Sequence, residues 1–316
     1  MIRNAIAGGI VWAALALGSA LGFFRLGMIE ILFLLGPLVV VPLGLELAMR
    51  LGHGEQDQPP PRYARRIHLP AALCVAASFW FPPGTASAIL ALPWFCFGCF
   101  LGFRGLVRFF RGGFKSFQEI CVIVSFCYLP IGCAWLIASR YGLNPMGFQE
   151  PIVLLTAVHF HFAGFAAPLM TRAACDAVRE ACIRTQKLFI VVATGVLAGP
   201  GMLAAGFVIG PRLKLAAALL LAASEIGLAL FFLAALPSVR PRLAQALIAL
   251  SAASVLFAMV FAGIWAVGEF PLQPFVHLAQ MAKFHGTANA LGFTLCGLLG
   301  WTLSVRGTPR SNGGTQ

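Results

Sequence analysis

Apolar stretches long enough to cross a bilayer follow one another almost end to end along this chain, and nothing constrains its fold more. A hydrocarbon core of roughly 30 Å asks about 20 apolar residues of a helix. Such stretches recur at about residues 5–24, 29–49, 68–82, 85–105, 116–138, 151–171, 188–209, 213–236, 243–267 and 287–305. The composition agrees, with 60% hydrophobic against 10% charged residues and a mean hydropathy of +0.90. Short segments of alternating polarity, which would indicate an outer-membrane barrel, are absent. The expected fold is all-α: a polytopic transmembrane helical bundle of about ten spans. It forms a single transmembrane domain over residues 1–306, with a proline-rich polar loop at 50–68 and a disordered tail at 307–316. The third stretch is short and "FPPGT" (Phe81 to Thr85) follows it, so it reads as a thin span or as half of a re-entrant hairpin. The first stretch continues past its small residues Gly18 to Ala20, so it reads as a helix rather than a cleaved signal.

The net charge of +12 is explained by topology. With the N-terminus in the cytoplasm, 17 of the 22 basic residues fall on that side, leaving only Arg25, Arg140, Arg212, Lys214 and Lys283 outside. That asymmetry is a positive-inside signal and places both termini in the cytoplasm. The expected partners are membrane lipids and a hydrophobic small molecule, with no nucleic acid and no signal for an oligomeric state. Gly18 and Gly22, Gly98 and Gly102, and Gly195 and Gly199 have the spacing that lets helices approach closely. The nine cysteines read as small apolar core residues, "CFGC" (Cys96 to Cys99) included.

Acidic residues are more informative, because a carboxylate in hydrocarbon costs several kcal/mol unless it faces the bundle interior or pairs. Glu46 and Glu119 lie near cytoplasmic helix ends, where Arg50 and Arg108 can pair with them. On the cytoplasmic side, Asp176 with Arg179 and Glu180 with Arg184 have helical pairing distances. Glu30, Glu150 and Glu269 lie near the outer surface, as do His277, Lys283, His285 and Asn289. Glu225, His159 and His161 stand about ten to twelve residues into their helices, roughly 15 to 18 Å deep. A polar site opening outward, or laterally into the outer leaflet, is therefore expected between the sixth and tenth helices.

Helix geometry limits what "HFHFAGF" (residues 159–165) can do. Residues two apart diverge by about 200°, so His159 and His161 cannot serve one centre. His161 returns to the stripe of Glu150, eleven residues earlier, and His159 takes the opposite face. In "FHGTANALGF" (residues 284–293), His285 and Asn289 share a face, and Gly286 and Gly292 permit close approach.

Three chemistries fit these residues. Buried imidazoles and carboxyls can exchange protons with a lipophilic, isoprenoid-like substrate in a phenylalanine-lined cavity, as cyclisation or isomerisation requires. That enzymatic reading casts His161, His285, Glu150 and Glu225 as catalytic. It casts His159, Asn289, Glu30, His277 and Gly286 as substrate-binding. A second reading is a transporter that couples protons to the movement of a small molecule or lipid. A third is a histidine-held metal or haem, although no metal-ligand signature is present and no cofactor is expected. Set against all three, the histidines could simply donate to backbone carbonyls and fix helix register.

The two motifs, in that order on a chain of nine or ten spans, resemble the YndJ-like bacterial membrane proteins. The likeness is concentrated in the C-terminal two-thirds; the N-terminal helices match in hydropathy alone. The resemblance implies a membrane fold and an inner-membrane setting, and carries over no catalytic assignment. It also implies that His159, His161, Gly164, His285, Gly286, Asn289 and Gly292 belong to recurring motifs.

Overall fold

The computed structural model describes residues 1–52, 62–112, 116–178, 182–270 and 276–305. These form ten helices with no strand among the described residues. They are α1 (Ile2–Ala20), α2 (Met28–Leu51), α3 (Arg62–Ser78), α4 (Thr85–Gly112), α5 (Phe117–Tyr141), α6 (Ile152–Val178), α7 (Ile183–Ile209), α8 (Pro211–Ala235), α9 (Arg242–Glu269) and α10 (residues 278–304). Eight of them, all but α3 and α10, are long and apolar enough to cross a membrane by themselves. The expected helical bundle is therefore what forms. The third stretch begins earlier than expected and runs as one 17-residue helix, roughly 25 Å long, packed beside α4. Residues 53–61 of the 50–68 loop and the 307–316 tail lie outside the described residues, as do Arg179 and Glu180. On that side Asp176 pairs with Arg172, at 2.9 Å. The loop end carrying Glu150 and Glu269, which the charge distribution assigns to the outside, is called the upper end below.

The expected close approaches occur for two of the three glycine pairs. A Cβ on Gly98 would stand 2.5 Å from Cys133 Sγ across the α4–α5 contact, and one on Gly199 would stand 2.6 Å from Leu221 Cδ1 across α7–α8. Gly18 and Gly22 do not join helices: Gly18 lies under Phe24, and Gly22, at φ 81°, makes the turn after α1. Two buried acids pair as the sequence suggests, Glu46 with Arg50 at 3.0 Å and Glu119 with Arg108 at 3.1 Å.

Neither histidine motif forms a regular α-helix. In α6 the backbone widens to π-helix over Phe160–Ala166, and in α10 over Ala282–Gly286 and again over Ala288–Cys296. Widening disturbs the backbone ladder, and hydrocarbon offers no water in compensation. Neighbouring serines take over. Ser125 of α5 donates to the Phe165 carbonyl at 2.8 Å, and Ser251 of α9 donates to the Phe293 carbonyl at 2.7 Å. In each motif the residue before that phenylalanine is a glycine, and in each it lies against the helix that supplies the serine. Gly164 would bring a Cβ to 2.9 Å from Tyr128 Cβ of α5, and Gly292 abuts Ser254 of α9.

Gly292→Val should therefore cost about 1–3 kcal/mol through overpacking. Ser251→Ala should cost less, on the order of 0.6 kcal/mol, as membrane hydrogen bonds do. Thermal unfolding of the purified protein in detergent should rank them in that order.

Candidate functional site

Helices α6 to α10 enclose a cavity of about 280 Å³. Each wall is one stripe at helical spacing. On α6 it runs Leu155, Val158, His159, Phe162 and Ala163; on α8 it runs from Lys214 through Ala218 and Leu221 to Glu225. Met259 and Trp265 of α9, and His285, Asn289 and Phe293 of α10, complete it. Most of the lining is apolar, so the few polar groups set its chemistry.

At the floor stands Glu225, only 4% exposed, whose Oε2 has no hydrogen-bond partner. On the α6 wall the Nε2 of His159 is likewise buried without a partner. His285 is close enough for a charge on either ring to bear on the other. The two rings differ in one respect. His285 Nδ1–H donates to the Ala258 carbonyl at 3.0 Å, which leaves its Nε2 as an acceptor, and the Asn289 amide donates to that nitrogen at 3.1 Å. This tautomer follows from the carbonyl, which can only accept. His285 and Asn289 thus form a closed pair, whereas the lining residues His159 and Glu225 each keep a buried atom without a partner.

The mouth, at the upper end, is polar again. Lys214 Nζ lies 3.0 Å from Glu269 Oε1. The Trp265 indole donates to the other oxygen of Glu269 at 3.1 Å, and the Lys214 ammonium sits 5.0 Å from the centre of the Phe207 ring. None of Lys214, Trp265 and Glu269 was among the expected site residues. The signal for them was that Lys214 is one of five basic residues on the outer side and Glu269 one of three acids there.

The structure brings together His159, Glu225, His285, Gly286 and Asn289, and places the other candidates elsewhere. His161 is the main correction. It is off the cavity stripe of α6 and points into the opposite core, fully buried. Trp94 Nε1–H donates to its Nε2 at 3.0 Å, and its Nδ1–H donates to the Ala157 carbonyl at 2.8 Å. Gly36 and Gly132 close over it: a Cβ on Gly132 would be 2.8 Å from His161 Nδ1. Both ring nitrogens are occupied, so a proton exchange between His161 and His285 has no path. Glu150 precedes α6 rather than joining its face, because the helix begins only after Pro151; the Glu150 carboxylate accepts the Leu154 N–H at 3.2 Å as a cap. Glu30 lies in the first turn of α2, and its charge and that of Glu150 both act on Arg140 of α5. His277 caps the exposed start of α10 through its backbone N–H, which donates to Gln280 at 3.1 Å. Among the described residues, no three His, Cys, Asp or Glu side chains converge as a metal site would need, and all nine cysteines are free.

Ten helices, eight of them long and apolar enough to cross a membrane, define a multi-pass membrane protein, and a buried carboxyl lines the apolar cavity among its last five helices. The chain belongs to the YndJ-like family, whose model matches residues 31–293. The match therefore reaches back into α2, beyond the C-terminal two-thirds where the resemblance is strongest in the motifs. A similar protein is the uncharacterized membrane protein YndJ of Bacillus subtilis (strain 168), 28% identical over 214 residues. That alignment takes in 67% of this chain and 38% of the relative, so the chain spans well under half of the relative's length. No solved structure matches.

Replacing Trp94 with Phe strands the Nε2 of His161 in the core. It should cost about 1–3 kcal/mol, the usual penalty for an orphaned buried acceptor. His159→Phe, which breaks no bond at Nε2, should shift the melting temperature less, and thermal unfolding of the two variants compares them.

Proposed function

We propose that the cavity is the active site of a membrane-embedded enzyme that performs acid–base chemistry on a lipophilic substrate, of the isomerase or cyclase type. One observation carries this reading: His159 and Glu225 line the same apolar cavity, and each carries a buried polar atom, Nε2 and Oε2, without a hydrogen-bond partner. Ionisable groups inside a bilayer are costly and are retained where they act. Moving a carbon–carbon double bond needs one group to deliver a proton to an alkene carbon and another to remove one from a neighbouring carbon. No further reactant is consumed. Glu225 and His159 supply that pair, and the His285–Asn289 pair orients the substrate from the α10 wall. An isoprenoid-like chain suits walls built from phenylalanine, leucine and methionine.

A second reading, transport of a small molecule or lipid, has one observation in its favour: the Lys214–Glu269 ion pair across the mouth, which is placed to gate entry. It predicts flux without chemical change.

Membranes containing the protein, incubated with polyprenyl substrates and profiled by mass spectrometry, should form a new product. Glu225→Gln should reduce that turnover by about 10²-fold or more, and His159→Gln by a similar factor, with folded protein retained. Substrate that enters proteoliposomes unchanged would instead establish the transporter.

A further inference from the structure

The cavity has a charged mouth, an apolar shaft and a polar floor, and these have a fixed spacing. Lys214 and Glu225 lie on the same stripe of α8, eleven residues and thus roughly 16 Å apart. The cavity measures about 280 Å³, and its lining of one stripe from each wall helix suits a single extended chain lying along the shaft.

Arg212 and Lys283 are exposed, each next in sequence to a lining residue, Pro211 and Ala282. One basic side chain, Lys214, lines the cavity itself. Glu269 is the carboxylate paired there, and the Trp265 indole already donates to it. An arriving anion can therefore take Lys214 while Glu269 keeps a donor. A cation would meet the Lys214 ammonium and one acid that is already engaged. Charge-assisted bonds to a phosphate or carboxylate are the strongest contacts such a rim can make.

We propose that the cavity takes a single-chain amphiphile with an anionic head, phosphate or carboxylate, held at Lys214 with its chain reaching down towards Glu225 and His159. This names the substrate class of the site described above and rests on that site being the place of reaction.

The test is equilibrium binding of radiolabelled dodecyl phosphate to the full chain in phosphatidylcholine nanodiscs. Saturable binding is expected, displaced by unlabelled dodecanoate but not by dodecyltrimethylammonium or inorganic phosphate. Lys214→Met should weaken it by about tenfold or more, the factor that 1.4 kcal/mol represents, and Lys214→Arg should restore most of it. Met259→Trp, which fills the shaft and leaves the ion pair in place, should abolish it. Equal displacement by the cationic amphiphile, or unchanged binding in both Lys214→Met and Met259→Trp, would overturn the proposal. Glu225→Gln separates the two claims. Binding retained with turnover lost supports both, whereas binding that depends on Lys214 together with turnover indifferent to Glu225→Gln keeps the amphiphile and removes the acid–base role.

Discussion

Hydrocarbon supplies no hydrogen bonds, so any helix that departs from regular α geometry inside a bilayer must find replacement partners within the protein. The site depends on how that demand is met twice. Ser125 serves the widened stretch of α6 and Ser251 that of α10, each through the carbonyl of the phenylalanine that follows a motif glycine. The glycine lets the donor helix come close, and the serine on that helix then reaches the carbonyl. The anchored stretch of α6 begins directly after His159, and that of α10 contains Asn289 and follows closely on His285. The histidine motifs are thus as much a device for bending helices safely as a source of imidazoles.

The same helix sends one histidine each way, and the outcome for each ring differs. His161 enters a core of Trp94, Phe33 and Cys133, where both nitrogens are satisfied and glycines on two neighbouring helices leave room only for the ring. His159 enters the cavity with Nε2 unmet. A polar atom left unmet in an apolar wall costs stability, roughly 1–3 kcal/mol. A group that only held register would be expected to resemble His161. His159 carries the cost without an internal return, which is the pattern expected of an atom waiting for a ligand.

Much of this was legible in the sequence because helical periodicity is a strong signal. Ten helices, the Glu46–Arg50 and Glu119–Arg108 pairs and the divergence of the two histidines all follow from spacing alone. Spacing could not say which of the two faces looked at the cavity, since that depends on how α6 rotates against α5 and α10. Nor could it show that α6 starts only at Ile152, which takes Glu150 off the helical stripe and makes it a cap. Glu30 and His277 were misjudged for a related reason: depth along the chain was read as proximity, whereas Glu30 stands on α2, outside the cavity lining, and His277 at the exposed start of α10. The mouth residues were missed because Lys214 and Glu269 belong to different helices and look, one at a time, like ordinary surface charges.

Glu225 is distinguished by what the other carboxylates do. Glu46, Glu119, Asp176 and Glu269 each have a cationic partner within about 3 Å, and Glu150 accepts a backbone N–H. Each of these is compensated by a group the chain itself provides. Glu225 is buried deeper than any of them, and among the described residues it alone keeps a buried carboxyl oxygen unbonded. The stripe of α8 that holds it offers Leu221, Ala222 and Leu228 as neighbours, residues that line or back a cavity and compensate nothing. Filling that position with leucine would be the expected solution for packing alone. A carboxyl placed instead about three helical turns from the Lys214–Glu269 pair at the mouth gives the cavity a direction. The charged head of a guest would stay at the membrane surface, and the far end of its chain would be delivered to the one acid that has nothing else to bind.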